Sequence, residues 1–522
     1  MKRCGRLMII LVPLLVCVAQ PPCRAQMTLP PSVPLPREAK MTLKPAPLEP
    51  SDIALPINLA TALRLSNARP LIVTGAQAAA WTAEAQLQHA HVLWVPNFNL
   101  ASDYIRHDGY GPDFNRGINT AARPLGQNVN FLYTGAGFTN ITQSTDIIFE
   151  PLVRRRILNA RRWDIETAKD DALFATAKAY FAVHQYRGQY AAALDVVERG
   201  HKLVDRIAHL TVDLVPKVEF DRAVRMEADM EQAAALARER WRVASANLTQ
   251  ILRLDPRVVL MPLEEDHLQV TLIDPSRPLE ELIPIGLLHR PELASQHEIV
   301  EAVAQRIRRE KGRILLPSLW LTGFQTPYEL IQFGAQGIGQ GSAMNLWSWR
   351  NDISPQVLWT AENLGMGNLA RIKEQRGEQS LEIVKLFNIQ DTVAAEITRA
   401  QARLQSAAVR VLEAERSARE GIINYDGNYE GLTQTSRFHN VLVEIFRPQE
   451  AVIALEHLLT SYNEYFATVA EYNQAQFEMF WALGYPAEEL SKLNPPGQVH
   501  PVKTTRVPYM PEVDAGPPPA TR

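Results

Sequence analysis

Residues 129–149, VNFLYTGAGFTNITQSTDIIF, decide the fold prediction, because they join a strand-like stretch to a very long helical one. Polar and apolar residues mix along this stretch as they do in a long β-strand. From residue 152 to residue 210 the chain has no proline, and its only glycines there are Gly188 and Gly200. A helix over that whole stretch would be roughly 88 Å long at about 1.5 Å per residue. A globular helical bundle does not need helices of that length.

The same order of elements occurs twice in the chain. Arg69-Pro70 corresponds to Arg290-Pro291, and Leu252 corresponds to Leu483 at an offset that is larger by ten positions. The second half therefore carries one modest insertion. Each half reads as helix, strand, loop, strand, long helix, turn and helix. That shared order indicates a duplication.

The predicted elements of the two halves correspond. The first half has helices over 57–91, 152–210 and 220–253, and strands over 92–105 and 129–149 that flank a loop over 106–127. The second half has helices over 279–312 (with a break near Pro284), 370–440 (with a glycine-rich weak point at 421–431) and 450–483, and strands over 312–326 and 353–363 that flank a loop over 326–351. The two shorter helices of each half, placed end to end, match the long helix. This predicts long antiparallel helical hairpins.

Four strands in one chain cannot close a barrel, but three chains that supply four each give twelve strands. A closed barrel is the β-structure that lipid permits, because it leaves no unpaired edge. A barrel of that width holds water rather than side chains. Five tryptophans fall in or beside the predicted strands, and they fit either an interfacial aromatic girdle or an ordinary core: Trp94, Trp320, Trp347, Trp349 and Trp359.

The first 25 residues read as a secretory signal. Lys2, Arg3 and Arg6 precede an apolar run, Leu7–Ala19, and Ala25 is a small residue at the expected cleavage site. The run is too short to cross a bilayer as a helix. An N-terminal membrane anchor is the alternative.

The cysteines and the charge exclude several classes of function. All three cysteines, Cys4, Cys17 and Cys23, lie in the predicted leader. The rest of the chain therefore offers no disulfide, thiolate metal site or cysteine nucleophile. The net charge is −3, and without the leader the chain has 50 basic against 57 acidic residues. There is no basic excess to indicate a nucleic-acid partner.

With these features the chain resembles the TolC-like outer membrane efflux protein family over about residues 55–487. The matching segments are PINLATAL at 56–63, PNF at 96–98, HRPEL at 289–293 and ATVAEYNQAQ at 467–476, followed by ALG at 482–484. Their order, spacing and duplication carry the resemblance.

The resemblance implies a homotrimer with a twelve-stranded β-barrel in the lipid of the outer membrane and a long periplasmic α-barrel. It also implies a periplasmic membrane-fusion adaptor and an inner-membrane transporter as partners. The trimer would be a passive duct of a tripartite efflux or type I secretion system. The chain departs from the family at both hairpin tips, 211–220 and 444–451, because each contains proline and lacks the Gly-Leu pair common at such tips.

Acidic residues at the tips are candidates for a constriction. Threefold symmetry would turn Asp213 and Glu444 into rings of three carboxylates, which attract cations and repel anions. The alternative is that they are solvated tip charges or acids at helix N-termini.

Other candidate sites in the sequence are weak. His89 and His91 could share a strand face and bind metal, but no third ligand is evident, so surface histidines are favoured. The glycines of GAQGIGQG at 334–341 lack a following GKS/T, which favours an exposed loop over a phosphate loop. No Gly-x-Ser-x-Gly elbow is present. We therefore expect no enzyme, no cofactor and no metal site.

The sequence predicts a mainly α protein with a β-barrel contribution, divided into five segments: a signal peptide (1–25), a proline-rich tail (26–54), two structural repeats (55–276 and 277–487) and a second proline-rich tail (488–522). The predicted function is an outer-membrane duct. A soluble periplasmic coiled-coil adaptor or scaffold is the alternative, and it leaves the duplicated strands unexplained. An exported hydrolase is a third hypothesis, for which no catalytic constellation exists.

Overall fold

The computed structural model describes residues 43–68, 70–107, 110–111, 125–126, 129–210, 216–321, 334–341, 346–352, 355–432, 434–438, 441–444 and 447–485. All of them belong to one unit, Thr42–Arg522. The predicted leader and the predicted C-terminal tail, 488–522, lie outside the described residues.

The described chain has eight α-helices: α1 (Leu59–Ala68), α2 (Leu71–His91), α3 (Ser144–Leu210), α4 (Lys217–Leu252), α5 (Leu279–His289), α6 (Pro291–Gly312), α7 (Met366–Gly431) and α8 (Pro448–Ala482). Several of these helices begin at a proline, because a proline at the first helical position loses no intrahelical hydrogen bond. Pro291 and Pro448 take that position in α6 and α8. None of these helices is both long enough and apolar enough to cross a membrane.

Two of the predicted helical stretches each consist of two helices, divided at a proline. The predicted helix over 57–91 consists of α1 and α2, and the one over 279–312 consists of α5 and α6. The divisions fall at Pro70 and Pro291, since proline disfavours helical geometry in the residue before it. The predicted break near Pro284 is wrong, because Pro284 lies inside α5.

The described strands are β1 (Ile53–Ile57), β2 (Asn97–His107), β3 (Tyr110–Gly111), β4 (Leu125–Gly126), β5 (Val129–Gln143), β6 (Val258–Pro262), β7 (Ser318–Leu321), β8 (Gly334–Gly341), β9 (Leu346–Asp352), β10 (Pro355–Leu358), β11 (Thr435–Phe438) and β12 (Val441–Glu444). Here the predicted loop over 326–351 is wrong, because it contains β8 and β9. The glycines of β8 have low strand propensity, which hid it from the sequence pattern.

The main sheet has four antiparallel rows. β2 pairs with one edge of β5 along its full length, from Asn97 opposite Thr139 to His107 opposite Val129. On the other edge of β5, β7 and β8 follow one another as a single row. β10 pairs with β7 and β9 pairs with β8, which makes the fourth row. The rows therefore stand in the order β2, β5, β7 with β8, and β10 with β9.

A second, small sheet brings the two ends of the predicted first repeat together. β1 and β6 run parallel, with Ile53 opposite Val258 and Ile57 opposite Pro262. Trp241 of α4 packs under this sheet in the main core and donates a hydrogen bond from Nε1 to the carbonyl of Leu260 at 3.3 Å. The prediction that Ile57 opens a helix is wrong, because it ends β1.

The ten-residue insertion lies between the last two helices. The connection from α3 to α4 has six residues, 211–216, and the connection from α7 to α8 has sixteen, 432–447. The longer connection contains the antiparallel pair β11 and β12. The predicted helix over 370–440 is therefore wrong at its end, because α7 ends at Gly431. A two-stranded ribbon lies between that point and the predicted turn at Arg447-Pro448.

Candidate channel-lining site

One face of the main sheet carries exposed apolar side chains. Phe98 lies opposite Phe138 in the register of β2 and β5, with ring centroids 5.4 Å apart. Leu100 lies on the same face, opposite Ala136, and Tyr104 lies on this face four residues further along β2. Leu100 is 78% exposed and Phe98 is 63% exposed. Residues of this kind on the outside of a sheet are typical of a surface that faces lipid.

The opposite face begins with polar side chains. Asn99 and Thr139 are diagonal neighbours across β2 and β5, and the amide of Asn99 donates a hydrogen bond to the Thr139 hydroxyl at 2.6 Å. Closer to the helices, this face carries Ile141 opposite Trp320. Around Phe98, Asn99 and Leu100 the two faces differ: apolar side chains that suit lipid lie on one, and polar side chains that suit water lie on the other.

Two of the strand tryptophans mark the end of the sheet nearest the helices. Trp94 precedes β2 and Trp359 follows β10, and both are exposed. A core role is therefore wrong for these two residues. Trp320 is half-buried, and the side chains of Trp347 and Trp349 lie outside the description.

The sheet continues into the helices without a linker. Gln143 is the last residue of β5, and Ser144 is the first of α3. The hydroxyl of Ser144 donates a hydrogen bond to the carbonyl of Pro317, just before β7. Below the sheet, α3 packs against α2 and α6, and α6 packs against α7. These four helices form a layer with α2 and α7 at its edges.

A charged cleft of about 800 Å³ lies where the sheet meets this layer. Glu150 accepts hydrogen bonds from Nε of Arg154 at 2.8 Å and from Nη1 of Arg309 at 2.6 Å. Arg313 donates to Asp146 at 3.4 Å. On the far side of the cleft, Arg371 donates to Glu362 at 2.8 Å. The cleft thus has a lining of ion pairs contributed by α3, α6 and the start of α7.

The histidine pair does not form a metal site. His89 lines the charged cleft, whereas His91 ends α2. Across the described residues, no group of three His, Cys, Asp or Glu side chains is placed to hold a metal ion.

The predicted constriction residues belong to the other end of the long helices. Asp213 is outside the described residues. Glu444 is the last residue of β12, paired with Thr435, and its side chain is not described. The structure therefore does not show the two carboxylates together.

A described network next to the tips joins the two hairpins. Arg199 of α3 forms ion pairs at 2.7 Å with Asp195 on its own helix and with Asp426 of α7. The hydroxyl of Tyr425 donates to the carbonyl of Arg199 at 3.0 Å, and burial raises the pKa of this tyrosine. One turn further along α7, Tyr429 lies under the guanidinium of Arg206 at 4.5 Å. Sequence reasoning missed this network, because no motif links helices that are so far apart in the chain.

A half-buried acid lies on α3 between the sheet and the tips. Asp170 borders a small cavity lined by the aromatic rings of Phe174, Phe477 and Trp481. Burial raises its pKa to about 8, with help from the charges of Glu292, Glu166 and Asp171 and against that of Arg290.

Solved structures of outer membrane channels share this architecture. The Campylobacter jejuni CmeC outer membrane channel superposes with a TM-score of 0.61 at 15% identity, over 83% of this chain and 89% of that one. The Vibrio cholerae outer membrane protein VceC gives a TM-score of 0.60 at 14% identity, over 82% and 96%. The open state of the Neisseria gonorrhoeae MtrE channel gives 0.56 at 13%, over 82% and 89%. The chain has the fold of the TolC-like outer membrane channels.

No protein-family model matches the sequence, and no curated protein sequence matches it. The predicted resemblance to the TolC-like channels is confirmed at the level of the fold. At 12–15% identity the likeness is carried by the arrangement of helices and strands rather than by shared residues.

Proposed function

We propose that the protein is a passive duct in the outer membrane of a Gram-negative cell, part of a tripartite efflux or type I secretion system. The single observation that carries this proposal is the unbroken passage from β5 into α3. It joins a sheet with an exposed apolar face to a helix of 67 residues. Such a helix is about 100 Å long, so one rigid element would reach from the lipid deep into the periplasm.

A homotrimer with a shared twelve-stranded barrel is the assembly that we propose. One chain contributes four strand rows, and the outer rows leave open edges that lipid does not tolerate. The edge helices supply a second argument. Leu71 and Trp81 on α2, and Val384 and Phe387 on α7, are exposed apolar side chains. When α2 of one chain packs against α7 of the next chain, the contact is head-to-tail. Such contacts close into a ring when the rotation between chains permits.

The helical tips would form the constricted end of the duct, with Asp213 and Glu444 as rings of carboxylates. The ion pair between Arg199 and Asp426 supports this placement, because it ties both hairpins together close to their tips. The repeats 55–276 and 277–487 would each supply one hairpin per chain. A periplasmic adaptor and an inner-membrane transporter would meet the tips, and the transporter would supply the energy. The duct itself would need no catalytic residue and no cofactor.

Membrane fractionation and mass measurement test the proposal. We expect the protein in the outer-membrane fraction, extracted by detergent alone, with a mass of three chains plus bound detergent. The purified protein should form ion-conducting pores in planar bilayers. A monomer that remains in solution without detergent would refute the duct and favour the periplasmic coiled-coil adaptor.

A further inference from the structure

The charged cleft faces the side of the sheet that we assign to water. Ile141 and Trp320 line it, and both belong to the face opposite Phe98 and Leu100. The rest of the lining comes from α2, from the first turns of α3, from the end of α6 and from the start of α7. The cleft therefore spans the whole layer of four helices. In the proposed duct it would open to the lumen.

The arginines of the lining have more N–H donors than the hydrogen bonds they make to described residues. Four guanidinium groups border the cleft, those of Arg154, Arg309, Arg313 and Arg371. A guanidinium carries five N–H donors. Only six hydrogen bonds from the four groups are made within the described part of the protein, to Gln86, Asp146, Glu150, Glu310 and Glu362. The three carboxylates that line the cleft are Asp146, Glu150 and Glu362, and the buried Glu310 lies beside it. Each of the four is paired with an arginine, so the hydrogen-bonding capacity that remains on the guanidinium groups is that of N–H donors.

A buried hydroxyl points to a ligand at the same place. Thr145 lines the cleft and is 1% exposed, yet its Oγ1 has no hydrogen-bond partner among the described atoms. An orphaned buried hydroxyl costs free energy unless a ligand or an ordered water satisfies it. Thr145 also lies in the first turn of α3, where backbone N–H groups lack acceptors within the helix. The positive end of the helix dipole adds to the preference for an anion.

Apolar side chains occupy the part of the cleft next to the sheet. Trp320, Ile141 and Leu316 border it there, while the arginines lie on the helical side. A volume of about 800 Å³ accommodates an organic molecule of drug size. We infer that the cleft binds organic anions with an apolar body, with the anionic group on the arginine-lined helical side beside Thr145 and the body against Trp320. That these anions are also cargo rests on the proposed function.

Calorimetric titration of the detergent-purified protein tests the site with two probes of the same shape. We expect 2-naphthoate to bind with one site per chain, and 2-naphthalenemethanol, its neutral analogue, to bind at least tenfold more weakly. Equal affinity for the two probes would refute the inference, because it would show that the apolar body alone is recognised.

Two variants locate the binding. Thr145→Val removes a hydroxyl with no described partner and keeps the shape, so it should fold normally and weaken naphthoate binding about tenfold. Arg371→Gln changes a side chain that is 44% exposed and should weaken binding by a similar factor. Arg403→Gln is the matched control, since Arg403 is an exposed arginine of the same helix, paired with Glu478 outside the cleft. Unchanged binding in both cleft variants would overturn the assignment.

Pore formation separates this inference from the proposed function. A protein that conducts ions but does not bind naphthoate would refute the anion site and leave the duct intact. A protein that binds naphthoate in the predicted pattern but forms no pores would support the site and refute the duct. Binding that appears only when the chains dissociate would show that a neighbouring chain fills the cleft, which also refutes the site.

Discussion

Replacing Asp170 by asparagine should remove a large pH dependence from the stability of the helical region. The folded protein holds this carboxyl beside aromatic rings and other acids, which raises its pKa from 3.8 to about 8. Between those two values the folded state binds more protons than the unfolded state. The free energy of unfolding therefore falls as the pH rises through this window, and it levels off above it.

The size of the effect follows from the two pKa values. A pKa that is higher by about four, at about 1.4 kcal/mol for each pH unit, gives an upper bound of about 6 kcal/mol. Residual solvent access to this half-buried carboxyl reduces the expected effect to about 3 kcal/mol. Asp170→Asn has the shape of the protonated acid, so its stability should be closest to that of the wild type at pH 5 and should exceed it increasingly up to pH 8.

Unfolding midpoints followed by circular dichroism between pH 5 and pH 9 measure this difference. Asp274→Asn is the control, because hydrogen bonds from the backbone and side chain of Ser276 lower the pKa of Asp274. That residue titrates below the measured range, so its replacement should shift the midpoint by a constant amount. Parallel pH profiles for Asp170→Asn and the wild type would refute the reasoning.

Three further predictions concern the backbone, the lipid face and the tips. Gly484 has φ +69°, and a Cβ there would lie 2.8 Å from the backbone that joins α5 to α6. Gly484→Ala should therefore lower the free energy of unfolding, measured with denaturant, by about 2 kcal/mol. Gly377 lies in open space on α7, so Gly377→Ala should raise that free energy by up to about 1 kcal/mol. Leu100→Lys should cost about 2–4 kcal/mol in the bilayer and lower the fraction recovered in the outer membrane. Asp213→Asn with Glu444→Gln should lower the cation-to-anion permeability ratio in planar bilayers, and an unchanged ratio would exclude both residues from the constriction.

The long helices were predictable because little interrupts them. The predicted helices over 220–253 and 450–483 match α4 and α8 to within three residues at each end. The predicted start of the helix at 152 was eight residues late, since α3 runs through Pro151. The predicted weak point at 421–431 is helical, because burial of Tyr425 and contact of Gly421 with α8 outweigh the poor helix propensity of glycine.

Long-range pairing was the part of the fold that the sequence hid. β1 and β6 pair although nearly the whole first repeat separates them. Neither strand pairs with a neighbour in the sequence, so no local pattern predicts either of them. β1 also contains Pro56, which argues against a strand by composition alone. In the main sheet, the glycines of β8 are tolerated because β5 and β9 flank it on both sides.

The candidate sites show the same limit. His89 was noted for its spacing to His91, but the feature it belongs to is the charged cleft, whose lining runs from Gln86 to Arg371. A local signal for the cleft existed in the arginine runs at 154–156 and 308–309. Most of the cleft's other walls lie on different helices, so only the packing of α3 against α6 and of α6 against α7 assembles the site.

The ten-residue insertion makes the two hairpins of each chain unequal at the tips. In the proposed trimer, three connections of six residues would alternate with three of sixteen. Asp213 belongs to the short connection, whereas Glu444 lies in the ribbon of β11 and β12. The constriction would therefore consist of two different rings rather than one ring of six. If the rings act independently, the effects of neutralising Asp213 and Glu444 on permeability, expressed as free energies, should add in the double variant. A double variant that equals either single one would instead show that both carboxylates act in a single ring.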